Sequence, residues 1–384
     1  MKINYGGQKI DDKDIKAVAA SLKNKLLTTG KIVESFESSL KKYVNTKNVI
    51  TCNSGTSAIF LSLLALNLRK NANVIIPAIN FVAAANLSNH LGYNVYFSDI
   101  ELSTGQISSN KIFECIKKNK LKKIDLVFTM HLGGNPENVI EIFNLKKKLN
   151  FFIIEDACHS FGSSYSYNKK KFNVGNAKHS DVTTFSFHPL KTITTGEGGA
   201  ITSQNSYLAK KIRQLRSHGM INKKGIDYDI NSSGFNFRLS DINCALGLSQ
   251  LKKIKKILSY RRDLFKYYLK NLDGYKNVVN FLNKNYKNSS CHLAIVKINF
   301  EKLNISKKQF YKLLKNKGII CQFHYIPQYN FTLFKKKEKL KNSQLYFYNY
   351  ISLPIHLMIG DKEIRYIVRE IKNIIDQKLL KLLK

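Results

Sequence analysis

The chain has 384 residues, 43% of them hydrophobic and 11% aromatic, which supports a sizeable core and excludes a disordered polypeptide. Its formal charge of +37 rests on lysines spread along the whole chain, with little of the arginine that reads guanine edges or clamps phosphates, so nucleic acid is not an expected partner. No apolar stretch reaches the roughly 18 to 20 residues that span a bilayer, and the N-terminus lacks a secretory pattern, so no membrane partner and a cytoplasmic location are expected.

The six cysteines are scattered without a C-x-x-C pair, which predicts reduced thiols and no metal site. In chain order, helical spacing of Ile15, Val18, Ala19 and Leu22 predicts a helix within 10–24. A second amphipathic helix runs from Ile32 to Tyr43, after the break at Leu27-Thr28-Thr29-Gly30. Asn48 to Cys52 reads as a short apolar strand, then Asn53-Ser54-Gly55-Thr56-Ser57, then an apolar helix over 58–68. Strand, small polar turn and helix is an arrangement that aims free N–H groups at an anion such as phosphate. Plain N-capping is the other use of the same residues.

Val74 to Pro77 and Tyr93 to Phe97 are the next strands, with a small-residue helix from Asn80 to Leu91 between them. Phe81 either presents its ring to a ligand or belongs to the core. Ile124 to Thr129 reads as a strand, Glu137 to Leu149 as a helix, and Phe151 to Ile154 as a parallel strand buried on both faces. That strand ends in Glu155-Asp156-Ala157-Cys158-His159-Ser160. Carboxylates at such a strand end lie where open α/β sheets bind ligands, although Asp156 also suits a helix N-cap.

Strands over 181–187 and 200–203 flank Ser186-Phe-His-Pro-Leu-Lys191-Thr-Ile-Thr-Thr-Gly-Glu-Gly-Gly. Lys191 in this setting is either a desolvated, nucleophilic amine or one of many lysines in a glycine-rich hairpin. A helix over 207–216, a polar loop over 222–233 and a long helix over 242–258 follow. Beyond them come a strand over 292–299, a helix over 307–317, a strand over 319–324 leading into His324-Tyr325-Ile326-Pro327, a strand over 350–354 and a terminal helix from Asp361. Alternating β and α elements predict a predominantly parallel sheet in residues 1–258 and a smaller α+β domain in 259–384.

A phosphate cradle at Ser54 to Ser57, an acidic strand end at Asp156 and a shielded amine at Lys191 together are the set a pyridoxal phosphate enzyme requires. Carrying them, the segments Leu27-Thr28-Thr29-Gly30, Ser54-Gly55-Thr56, Pro77 to Ala83, Glu155-Asp156-Ala157, Ser186 to Ala200 and Gly234-Phe235-Asn236-Phe237-Arg238 resemble the DegT/DnrJ/EryC1/StrS family. These are sugar aminotransferases with the α/β fold type I architecture of aspartate aminotransferase, a large mixed-sheet domain plus a smaller C-terminal one.

The resemblance implies Lys191 as the Schiff-base lysine, Asp156 as the partner of the pyridine nitrogen, Phe81 stacked on the ring and His159 beside the 3′-hydroxyl. It implies Ser54, Gly55, Thr56, Ser57 and Ser186 around the phosphate, with Asn236 arriving from the second subunit of a homodimer. Thr28, His188, Arg238, His324 and Tyr325 are the expected substrate contacts. Within the family, the Lys191 stretch, Arg216-Ser217-His218-Gly219-Met220, Gly247 to Lys253 and His324-Tyr325-Ile326-Pro327 are most similar to transaminases of pseudaminic acid biosynthesis. That implies amination at C4 of a UDP-linked 4-keto-6-deoxy-N-acetyl sugar, with glutamate as amino donor. Phe235 stands where a tyrosine is often found, and the segment after Pro327 departs from the pattern. Alternatives are a GDP- or dTDP-keto-sugar aminotransferase, a sugar dehydratase of the same fold, which carries histidine where this chain has Lys191, and a non-catalytic regulatory protein.

Overall fold

A seven-stranded sheet organises the first two thirds of the chain. Its strands are β1 (Asn48–Cys52), β2 (Asn73–Pro77), β3 (Asn94–Ser98), β4 (Leu126–Met130), β5 (Phe152–Asp156), β8 (Val182–Ser186) and β9 (Gly199–Ser203) in the order β1-β9-β8-β5-β4-β2-β3, while β6 (Ser164–Tyr167) and β7 (Lys170–Asn173) form a separate hairpin. The computed structural model describes residues 2–222, 227–335 and 339–382, so the polar loop expected over 222–233 lies partly outside the described residues. Only β9 runs against its neighbours, pairing antiparallel with both β1 and β8; the other pairs are parallel.

Burial on both faces explains the unbroken apolar runs of the central strands. Ile75, Val127 and Ile153 pack into one cluster, and Ile76, Phe128 and Ile154 into another on the opposite face. The first cluster is closed by α5 (Ser109–Lys118) and α6 (Val139–Leu149), the second by α3 (Gly55–Leu66), α4 (Ala83–His90) and α7 (Ser206–Arg216). Side-chain alternation then puts Asp156 on the face of Ile154 and Glu155 on that of Ile153.

Helices α1 (Asp12–Ser21) and α2 (Lys31–Val44) pack on α8 (Asp241–Lys252), and the short hairpin β10 (Met220–Asn222) and β11 (Tyr228–Ile230) meets α7 through β10. The single long helix expected over 242–258 is two: α8 ends at Lys252, Lys253 leaves helical geometry, and α9 (Ile254–Asn271) runs through the region where the chain was expected to divide. A second sheet, antiparallel β12-β13-β14 (Val279–Phe281, Ala294–Ile298, Tyr350–Leu353), is covered by α9, α10 (Lys307–Asn316) and α12 (Asp361–Leu382), with α11 (Lys341–Asn349) preceding β14. The segment expected as a strand over 319–324 makes only two single-residue bridges, Ile3 with Ile319 and Gln322 with Ser352, because different segments flank its two ends. Ile3 is thereby buried in the core of the smaller sheet.

Candidate active site

Because β9 alone is reversed, the carboxyl ends of β1, β8, β5, β4 and β2 share one edge of the large sheet with the amino end of β9. Gly199 pairs with Cys52 on one side and Ser186 on the other, while Asp156 pairs with Thr184 and Met130. The register therefore sets the end of β1, the end of β8 and the end of β5 along a single line.

Two glycines permit the close approach this line requires. A Cβ on Gly199 would collide with the Ser54 carbonyl oxygen, and one on Gly55 would lie 2.8 Å from Ser186 Cβ. Helix α3 starts at Gly55, earlier than the apolar run suggested, with Ser54 as its N-cap. Ser54 Oγ accepts from Ser57 N–H at 3.0 Å and lies 2.9 Å from Ser57 Oγ, which leaves the Gly55 and Thr56 N–H groups without an acceptor among the described residues. Free amides at the start of a twelve-residue helix suit a phosphate group. Capping and anion binding here use different donors of one turn.

Above this turn opens a cleft of about 650 Å³. Ser54, Gly55, Thr56, Phe81, Asp156, His159, Ser186, His188, Lys191, His324 and Tyr325 all line it. Ser57 is buried beneath Ser54, while Thr28, Asn236 and Arg238 stand outside this cleft. Thr28 bridges to Ser240, and Asn236 is exposed on a segment bridged to Ser217.

Lys191 lies in the loop joining β8 to β9, so the glycine-rich stretch is a hairpin and a cleft wall at once. The loop is tied at its base by Phe187 N–H to Gly198 O at 2.8 Å and Thr195 N–H to Phe187 O at 3.0 Å. Burial pulls the Lys191 amine below its ordinary pKa, while Cys158 and Asp156 oppose that shift. Asp156 is 3% exposed, and burial raises its carboxyl pKa; Cys158 and the Lys191 cation pull the other way. Its Oδ1 accepts from Cys158 N–H at 3.1 Å, a local turn in place of the helix cap that the sequence also allowed. Phe81 is 51% exposed and so is no core residue; its ring faces Tyr325 at 6.1 Å across the cleft.

Several lining residues carry no signal in the sequence. Tyr5 and Gly6 reach the cleft because the N-terminal segment is stitched to the smaller sheet region, through Ile3 N–H to Gly318 O at 2.8 Å and Asn4 O to His356 Nε2 at 2.9 Å. His292 enters from the start of the strand expected over 292–299, and its ring centroid lies 4.3 Å from that of His159. Among the described residues no group of three His, Cys, Asp or Glu side chains is arranged to hold a metal, and no described helix is long and apolar enough to cross a membrane.

The donor set fits pyridoxal phosphate: free amides and hydroxyls for its phosphate, a buried carboxylate for its ring nitrogen, and an amine of lowered basicity for its carbonyl carbon. Comparison with known proteins agrees. The chain is 36% identical, over 98% of both sequences, to the UDP-4-amino-4,6-dideoxy-N-acetyl-beta-L-altrosamine transaminase of Campylobacter jejuni strain 81-176. It superposes with a TM-score of 0.89 and 30% identity on Helicobacter pylori PseC, an aminotransferase involved in the biosynthesis of pseudoaminic acid, covering 98% of this chain and 100% of that one. The putative sugar aminotransferase Spr1654 from Streptococcus pneumoniae, in its PLP form, matches with a TM-score of 0.87 and 25% identity over 99% and 100% of the two chains. The fold is the fold type I architecture that the motifs implied. The DegT/DnrJ/EryC1/StrS aminotransferase family model matches residues 8–372, and the chain belongs to that family.

Proposed function

We propose that this protein is a pyridoxal phosphate-dependent aminotransferase that converts a UDP-linked 4-keto-6-deoxy-N-acetyl sugar to the 4-amino sugar with glutamate as donor, for a surface glycan or a pseudaminic-acid-type sugar. The observation that carries the chemistry is one cleft holding the Lys191 amine, the buried Asp156 carboxylate and the free amides of α3. The substrate class is supported by the full-length likeness to the Campylobacter transaminase.

When bound, the cofactor supplies a carbonyl carbon that takes up an amine and a protonated ring that withdraws electrons from the carbon losing its proton. Gly55 and Thr56 N–H with the Ser54, Thr56 and Ser186 hydroxyls would hold the phosphate, and Ser57 fixes Ser54 by hydrogen bonding. Asp156 would keep the proton on the ring nitrogen. Phe81 would cover the ring, and His159 would serve its 3′-hydroxyl side. Lys191 Nζ, when free, would carry the proton between the substrate carbon and the cofactor carbon, a role that its lowered basicity favours. The same residues serve both half-reactions, glutamate first and keto sugar second.

The active form is a homodimer in this reading, because Asn236 stands exposed and outside the cleft of its own chain. The chain divides near residue 258: Ile257 and Leu258 pack with the large-sheet core, whereas Leu264, Phe265 and Tyr268 on the same helix pack with the smaller one. Six free thiols fit a cytoplasmic location. The test is to incubate pure enzyme with glutamate and 4-keto UDP-, GDP- and dTDP-sugars. Turnover of the UDP-sugar is expected; turnover of only a GDP- or dTDP-sugar overturns the substrate, and a Lys191→Ala variant with normal amino transfer overturns the mechanism.

A further inference from the structure

His292 borders the cleft but takes part in none of the roles above. It is 7% exposed, and its Nδ1 has no hydrogen-bond partner among the described residues. Buried polar atoms in folded proteins are nearly always paired; Nε2, which is not buried, also makes no hydrogen bond among the described residues, so the imidazole lining the cleft holds hydrogen-bonding capacity that points to a ligand group.

The ring is held in place by its backbone. Leu293 N–H donates to Gly133 O at 3.2 Å, and the Arg261 guanidinium donates to the carbonyls of Cys291, His292 and Ile355 at 3.4, 3.5 and 3.1 Å. Arg261 is 2% exposed, so this clamp is interior and joins α9 to the cleft wall.

Its charge state follows from its surroundings. Burial drives the His292 pKa well below the ordinary value, and Lys191, Arg261, His324 and His188 push the same way. A neutral imidazole has one donor and one acceptor, which complements a hydroxyl or amide and gives no ion pair to a carboxylate.

We propose that His292 is a substrate contact that pairs with an uncharged hydrogen-bonding group of the sugar, a hydroxyl or the N-acetyl amide, and not with the carboxylates of the amino donor. This rests on the nucleotide-sugar aminotransferase reading. The test compares His292→Phe, which keeps a flat ring without polar atoms, with His292→Asn, which restores a donor and an acceptor. Sugar KM is measured at steady state, and the glutamate half-reaction is followed separately by the absorbance of the bound cofactor. Loss of a buried hydrogen bond predicts a rise of about tenfold or more in sugar KM for His292→Phe, recovering to within about threefold in His292→Asn.

The glutamate half-reaction is expected to stay within about twofold of wild type in both. Unchanged sugar KM in His292→Phe, equal losses toward glutamate and sugar, or failure of both variants to melt as folded proteins each overturns the assignment while leaving the aminotransferase intact. Absence of any nucleotide-sugar turnover by the wild-type enzyme overturns the substrate reading and this contact with it.

Discussion

His159 and Tyr325 are joined by a 3.0 Å hydrogen bond between Nε2 and the phenol oxygen, and the backbone decides which of them donates. Gly133 N–H donates to His159 Nδ1 at 3.4 Å, so Nδ1 is the acceptor nitrogen. Burial, followed by the Lys191 charge, holds the ring well below its usual pKa and therefore neutral, which puts its one proton on Nε2. Nε2–H then donates to Tyr325, whose own proton is left to face the cleft. Tyr325→Phe is expected to slow turnover about tenfold while cofactor affinity stays within about threefold, since losing one buried hydrogen bond costs about 1–3 kcal/mol. Cofactor titration of the apoenzyme and steady-state kinetics check both halves, and wild-type turnover would place that proton away from the ligand.

On the opposite face of β5, Glu155 and His131 form a buried pair, Oε1 to Nε2 at 3.9 Å, that makes stability depend on pH. Burial pushes Glu155 up to about 7, against hydrogen bonds from Thr183 and Ser180, and pushes His131 down to about 3. A carboxyl group with a raised pKa holds its proton longer in the folded state, so its contribution falls as pH rises from the ordinary value of 4.5 toward 7. His131 contributes the opposite slope between about 3 and 6.5, and the two cancel where they overlap. Glu155→Gln removes only the falling limb. Relative to wild type it is expected to gain about 2 kcal/mol between about pH 5 and pH 6.5, read from urea unfolding at the two pH values. A constant difference between the two proteins across that range would show that Glu155 is ionised in both states.

The chemistry-bearing residues were legible because each follows a local rule. Ser54 caps a helix after an apolar strand, Asp156 ends a strand buried on both faces, and Lys191 sits among glycines that permit close packing. Tyr5, Gly6 and His292 were not, because contacts between segments more than a hundred residues apart bring them to the cleft. Ile3 meets Ile319 in a single bridge, which leaves no periodicity to read. The break between α8 and α9 was hidden for a related reason. No glycine or proline marks Lys253, and the side chain is held there by Asp11 and Asp14, at 2.8 and 2.7 Å, from the far end of the chain.

The break at Thr28-Thr29-Gly30 is the seat of a helix cap supplied from a distance. Helix α2 begins after Gly30, which has no side chain to cap it. Asp241 does so, accepting from Gly30, Ile32 and Val33 N–H at 2.9, 3.0 and 3.4 Å while 1% exposed. Asp241→Ala leaves those amides without their carboxylate and is expected to cost about 2–3 kcal/mol. Gly30→Ala tests the same contact from the other side, since its Cβ would lie 2.7 Å from Asp241 Oδ1. Denaturant midpoints for both variants within about 0.5 kcal/mol of wild type, the range of ordinary surface substitutions, would rule the cap out.

Asn236 is the residue through which a shared active site can be tested. Its neighbours are tied back to their own chain, His218 N–H to Phe235 O at 2.9 Å and Phe237 N–H to Arg216 O at 3.0 Å, so the segment does not fold into its own cleft. The side chain is exposed and does not line the cleft that holds Lys191. If Asn236 completes the partner's site, Lys191→Ala and Asn236→Ala proteins, each inactive alone, complement one another when mixed. Random re-pairing of equal amounts makes half the dimers mixed, and in each mixed dimer one site receives Lys191 from one chain and Asn236 from the other. About a quarter of wild-type activity per dimer is therefore expected after subunit exchange. A site built within one chain gives no intact pair in any combination, so mixtures that stay inactive after proven exchange would show that Asn236 serves its own subunit.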